Sequence, residues 1–157
     1  MSAEEKTYNL INLNNNNKIN ADDKSSMPYN LEAEQSLLGA ILFDNSTIEN
    51  TMDLIKDYHL YEPLHQEIYQ ACLILFDNNK LADPTTLKGY LRDKNPNRKI
   101  DISDYLNKLK GSVLSISNIN SYANEIKNCY LRRSLIRISN DIKENSLNIK
   151  IDTSPED

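Results

Sequence analysis

Read for apolar and polar positions, the chain divides into a polar opening, several short amphipathic segments and one long final segment. Residues 1–27 hold the run Asn14-Asn15-Asn16-Asn17 and little to bury, which predicts a disordered tail. Tyr8-Asn9-Leu10-Ile11 is its candidate partner-binding peptide. Helical spacing begins after Pro28. Asn30 can cap the first helix, and Glu32 and Glu34 place carboxylates in its first turn, at the positive end of the helix dipole. Leu31, Leu38, Ile41 and Leu42 fall on one side, with Gln35 and Ser36 opposite. Gly39 stands mid-helix, where glycine costs about 1 kcal/mol against alanine. Close approach of another helix backbone would justify it.

Asp44-Asn45-Ser46 stops this helix and caps a second, which carries Ile48, Met52 and Ile55. Tyr58-His59-Leu60-Tyr61 is a short apolar link, and Glu62-Pro63 opens a third helix with proline at a tolerated early position. Leu64, Ile68, Cys72, Leu75 and Phe76 form its stripe. Asp83-Pro84-Thr85-Thr86-Leu87 starts a fourth helix that runs through Leu91. The basic residues that follow (Arg92, Lys94, Arg98, Lys99) read as a solvated loop, with nucleic-acid contact as the alternative. Ile102, Tyr105, Leu106 and Leu109 give a fifth helix, ended by Gly111-Ser112.

The last segment behaves differently. Ser117 can cap it, and no glycine or proline interrupts Asn118 to Ile151. At about 100° per residue, Ile119, Tyr122, Ala123, Ile126, Cys129 and Tyr130 share one face. Leu131, Leu135, Ile138 and Ile142 share another, roughly 150° around. Beyond Tyr130 the first face carries Arg133 and Arg137. The switch predicts a helix that packs on a head and then projects to meet another partner; a bent core helix touching two neighbours is the alternative. Thr153-Ser154-Pro155-Glu156-Asp157 reads as the cap and first turn of a further helix. The expectation is an all-α fold: a head of about five helices over 28–116, a long projecting helix over 117–151, and over 152–157 the start of a truncated second hairpin helix.

Composition narrows the function. A chain of 157 residues buries one core, and a net charge of −5 argues against a free-standing grip on DNA backbone. Cys72 and Cys129 form no CxxC pair and predict reduced thiols without structural zinc. His59 and His65 do not share a helix face and read as packed or surface histidines. No apolar run reaches the roughly 18 residues of a membrane helix, which predicts a cytoplasmic protein without a membrane partner. There is no G-x-x-x-x-G-K-[ST] phosphate loop, no Ser–His–Asp pattern and no carboxylate pair beside a nucleophile. Catalytic, cofactor-binding and metal-binding residues are therefore not expected in this chain.

As a string, Pro28-x-x-x-Glu32-Ala33-Glu34-Gln35-x-x-Leu38-Gly39-x-x-Leu42 resembles the first helix of the N-terminal domain of bacterial replicative DNA helicases, the DnaB family. The likeness continues through His65-x-x-Ile68-Tyr69, Asp83…Thr86-Leu87 and Tyr105-Leu106-x-x-Leu109. It then covers Asn118-Ile119-x-x-Tyr122-Ala123-x-x-Ile126 and Leu131-Arg132-Arg133-x-Leu135-Ile136, in order and with matching gaps. Ile102-Ser103-Asp104 departs from the family, whose members often carry a Gly-Gly pair there. The resemblance implies a helical head with a hairpin arm that pairs into dimers and a hexameric collar. Primase docks on that collar, and a helicase loader can act through it. DNA is contacted only indirectly, and ATP and magnesium belong to a motor domain that this sequence lacks.

On this reading Leu131, Arg132, Arg133, Leu135, Ile138 and Ile142 form the oligomer or partner interface. Glu32, Glu34, Gln35, Leu38, Gly39 and Tyr122 are the family-motif core. Two other readings are a stand-alone helicase-binding adaptor or loader-like mimic, and a small helix-turn-helix regulator using Arg132, Arg133 and Arg137 on phosphates.

Overall fold

The computed structural model describes residues 27–94, 101–113 and 118–147. The expected tail with its Tyr8–Ile11 peptide, Arg98 and Lys99 of the basic loop, the Ser117 cap and the start of a second hairpin helix lie outside these residues. Among the described residues all regular structure is helical: α1 (Leu31–Phe43), α2 (Thr47–Thr51), a 3-10 turn (Asp57–His59), α3 (Pro63–Asp77), α4 (Pro84–Lys94), α5 (Ile102–Gly111) and α6 (Ile119–Leu147).

Local chemistry sets most of the boundaries. Asn30 Oδ1 accepts from the Ala33 amide at 3.0 Å and caps α1. Asp83 Oδ1 accepts from the Thr85 and Thr86 amides at the start of α4, and Asp101 Oδ1 does the same for Ser103 and Asp104 at the start of α5. These backbone bonds hold the Asp83 carboxyl below its usual range. Helix α3 ends on Asn79, whose φ of 54° lies in the left-handed region. The Asn79 amide donates to Phe76 O and the Lys80 amide to Leu75 O, so the exposed carbonyls of the last turn are satisfied by an asparagine where glycine is more usual.

Helix α1 is the centre of the head. It packs against α2, α3, α5 and α6, and its buried residues cover all but a narrow strip at Glu32, Ser36 and Phe43: Ala33, Glu34, Gln35, Leu37, Leu38, Gly39, Ala40, Ile41 and Leu42. The expected one-sided amphipathic helix is thus corrected. Gln35 is buried, and Glu32, counted with the motif core, is exposed. Gly39 does what mid-helix glycine suggested, since a Cβ there would stand 2.5 Å from the Leu109 carbonyl oxygen at the end of α5. Tyr122 is half-buried against the same core.

Candidate docking surface

Helix α6 is 29 residues long. Its buried residues are Ile119, Ala123, Ile126, Cys129 and Arg133, spaced by three and four so that one row faces the head. Beyond Ser134 every described residue of the helix is exposed. The second apolar row points outward: Leu131 is 48% exposed, Leu135 67%, Ile138 54% and Ile142 61%. Single exposed leucines are ordinary on protein surfaces, but a four-residue row at coiled-coil spacing is not. Arg132 lies exposed beside it.

Arg133 does not join that surface. It is 3% exposed, with one guanidinium nitrogen donating to Pro28 O at 2.8 Å and another to His59 O at 2.6 Å. Burial lowers its pKa, and the Glu34 carboxylate works against that fall. The expectation of Arg133 as a partner or phosphate contact is therefore corrected: its donors are committed inside the head. Nothing in the local sequence reveals this, because both carbonyls come from distant segments.

Within the head lies a buried polar network around Glu34, which sequence reasoning placed in the first turn of α1 and in the motif core. Glu34, 1% exposed, accepts from the Tyr61 amide at 2.5 Å and the Glu62 amide at 3.3 Å, just ahead of α3, and pairs with His65 Nδ1 at 2.6 Å. His65 Nε2 lies 2.6 Å from the Tyr105 hydroxyl, and Gln35 Nε2 donates to that hydroxyl at 3.3 Å. One set of proton positions satisfies all these contacts. With the ring proton placed on Nδ1, His65 donates there to Glu34 and accepts at Nε2 from Tyr105. Glu34 and Gln35 (α1), His65 (α3) and Tyr105 (α5) are thereby tied together in a site closed to solvent. Such a network fixes how helices meet; it offers no access for a substrate. The signal available in the sequence was a Glu-Gln pair inside an apolar helix.

The remaining reactive groups are accounted for locally. His59 Nδ1 accepts the Lys56 amide at 3.1 Å. Burial pulls its pKa down, helped by Lys127, Lys56 and Arg133 and opposed by Asp57. Burial pushes the Cys72 thiol up to about 12 and raises that of Cys129. Among the described residues no group of His, Cys, Asp and Glu could hold a metal ion, and no helix is long and apolar enough to cross a membrane.

The family model of the DnaB-like helicase N-terminal domain matches residues 26–128. The chain belongs to this DnaB family. The replicative DNA helicase DnaB of Rickettsia prowazekii is 33% identical over 136 residues, covering 84% of this chain and 28% of that protein. DnaB of Treponema pallidum is 31% identical over 121 residues, covering 77% of this chain and 28% of that protein. The chain thus spans under a third of the length of these curated DnaB relatives. The crystal structure of the N-terminal domain of DnaB helicase from Mycobacterium tuberculosis matches with a TM-score of 0.71 at 28% identity, covering 76% of this chain and 85% of that one. The corresponding Helicobacter pylori domain, described with its interactions with primase, matches with a TM-score of 0.61 at 24% identity over 73% of this chain and 89% of that one, a likeness of fold. The relatives are replicative DNA helicases, and the all-helical head is that of DnaB N-terminal domains.

Proposed function

We propose that this chain is the collar domain of a replicative helicase, which organises the ring by self-pairing and offers a docking surface to primase. The observation that carries the reading is the outward row Leu131, Leu135, Ile138 and Ile142, exposed on a helix whose buried row ends at Arg133 and which is exposed on every face beyond Ser134. Its four-three-four spacing is its own mirror image. A second copy laid antiparallel therefore sets Leu131 against Ile142 and Leu135 against Ile138, each pairing occurring twice by symmetry, four apolar layers in all. Full burial of such a side chain is worth about 1.5–3 kcal/mol, and each of these is already about half covered, so roughly half of that is gained per side chain. Association costs roughly 4–15 kcal/mol, so this row alone supports a weak, concentration-dependent dimer that a ring would reinforce. The primase interactions described for the Helicobacter pylori domain supply the partner class. ATP hydrolysis and DNA translocation are assigned to a motor region whose phosphate loop this sequence lacks. A loader acting at the same surface is a secondary expectation from the resemblance.

Sedimentation velocity over a concentration series tests the self-pairing. The wild-type chain should gain mass with concentration, and Leu135→Asp with Ile138→Asp should stay monomeric with an unchanged helical signal and melting temperature. A variant that unfolds outright would show that the row is core, and the reading would fall. Calorimetric titration with the C-terminal domain of the cognate primase tests the second role. No heat at concentrations on the order of 10 μM, where micromolar affinity registers, would remove direct docking by this domain alone.

A further inference from the structure

The last head-facing position of α6 is occupied by a charge where Ile119, Ala123, Ile126 and Cys129 precede it along the same row. The Arg133 guanidinium bridges Pro28 O, just before α1, and His59 O, at the end of the 3-10 turn, two carbonyls 31 positions apart in the chain (59 minus 28). It also lies 5.5 Å from the Tyr61 ring centre and 5.9 Å from that of Tyr130. Tyr61 stacks on Tyr29 at 4.6 Å, and Tyr130 meets the His59 ring at 4.4 Å and Tyr58 edge-on at 5.6 Å. The helix therefore leaves the head through a joint of three segments held around one side chain.

We propose that Arg133 is the positioning residue that sets the rotation of α6 about its own axis, and so decides which row of the arm faces outward. The four smaller side chains before it are buried by non-directional contacts, which oppose a roll of the helix only through the burial lost. Two hydrogen bonds from a planar fork, flanked by two tyrosine rings, cannot be kept through such a roll. Arginine alone among side chains supplies this geometry, because a lysine ammonium is a point charge without a fixed fork. Fixing the rotation at Arg133 points Leu135, Ile138 and Ile142 away from the head. The consequence for pairing rests on the self-pairing reading above; the joint itself does not.

Amide hydrogen exchange, read segment by segment with sedimentation on the same samples, tests the assignment. In Arg133→Met, exchange should quicken on the order of tenfold in three separate places: residues 29–31, 56–61 and 130–137. Protection across 37–42 and 66–72 should hold, and self-association should weaken. Arg133→Lys should resemble Arg133→Met, since retained charge does not restore the bridge. Quickening confined to 130–137, or an Arg133→Lys protein indistinguishable from wild type, would overturn the proposal. Should Arg133→Met fail to fold, Tyr61→Leu removes one ring face only. The same three segments must then loosen to a smaller degree, and unchanged exchange would overturn the assignment. A wild-type chain that never self-associates defeats the pairing reading, and the exchange pattern still decides Arg133.

Discussion

At position 39 an added Cβ would meet the Leu109 carbonyl oxygen at 2.5 Å and Val113 Cγ2 at 3.0 Å. At position 89, within α4, it would meet nothing within 4 Å. Two helical glycines thus carry opposite expectations for one substitution. Alanine is favoured in a helix by about 1 kcal/mol, and at position 89 that preference acts unopposed. Gly89→Ala should raise the free energy of unfolding by about 0.5–1 kcal/mol. At position 39 the obstacle is backbone, which cannot swing aside, and overpacking costs about 1–3 kcal/mol. Crowding outweighs propensity there, so Gly39→Ala should be net destabilising, with the urea midpoint falling. Matched urea titrations of both variants check the pair, and a gain at position 39 would mean that the end of α5 yields. The sequence alone raised close approach at Gly39 but could not name Leu109, because the contact lies 70 positions away (109 minus 39).

Among the elements, α6 and the 3-10 turn show what local periodicity can and cannot reveal. The change of apolar row after Tyr130 was legible because it is a property of one helix. The fate of Arg133 was not, because its carbonyl and ring partners arrive from Pro28, His59 and Tyr61. Helix α1 misled in a related way. Its polar Gln35 suggested a solvent side, whereas Tyr105 supplies that side with a buried hydroxyl. The 3-10 turn adds a pH dependence. The folded pKa of His59 lies below its usual 6.5, first through burial and then through Lys127, Lys56 and Arg133. A base of this kind binds fewer protons folded than unfolded, so stability rises with pH across the window. Its contribution is present above 6.5 and is lost as pH falls from 6.5 toward the folded value. Protonation at Nδ1 would also remove the acceptor for the Lys56 amide. In denaturant titrations between pH 7 and 5, His59→Asn, which keeps an acceptor there, should lose stability less steeply than the wild type. Equal slopes would assign the dependence to other groups.

For the whole molecule, the question is whether the head opens as one body or sheds the root of its arm first. The two thiols can report on this, because one lies in the core of the head and the other on the row that docks α6. Cys72 lies fully buried in α3, its thiol pushed up to about 12. Cys129 lies 8% exposed on the head-facing row of α6, its thiol raised by burial and by Glu125. Neither reacts as a thiolate while its helix stays packed, so labelling measures opening. A head that unfolds only globally must expose both at one rate, the rate set by its global stability. The structure favours two rates. Cys129 is screened by a single row and the Arg133 joint, whereas Cys72 belongs to the core that α1 organises. Disulfide-exchange labelling under native conditions should therefore modify Cys129 faster than Cys72 by about tenfold or more, the ratio for an opening cheaper by 1.4 kcal/mol. Arg133→Met should accelerate Cys129 and leave Cys72 unchanged. Equal rates in the wild type would make head and arm root one cooperative unit, and the arm could then be repositioned only by unfolding the domain that carries it.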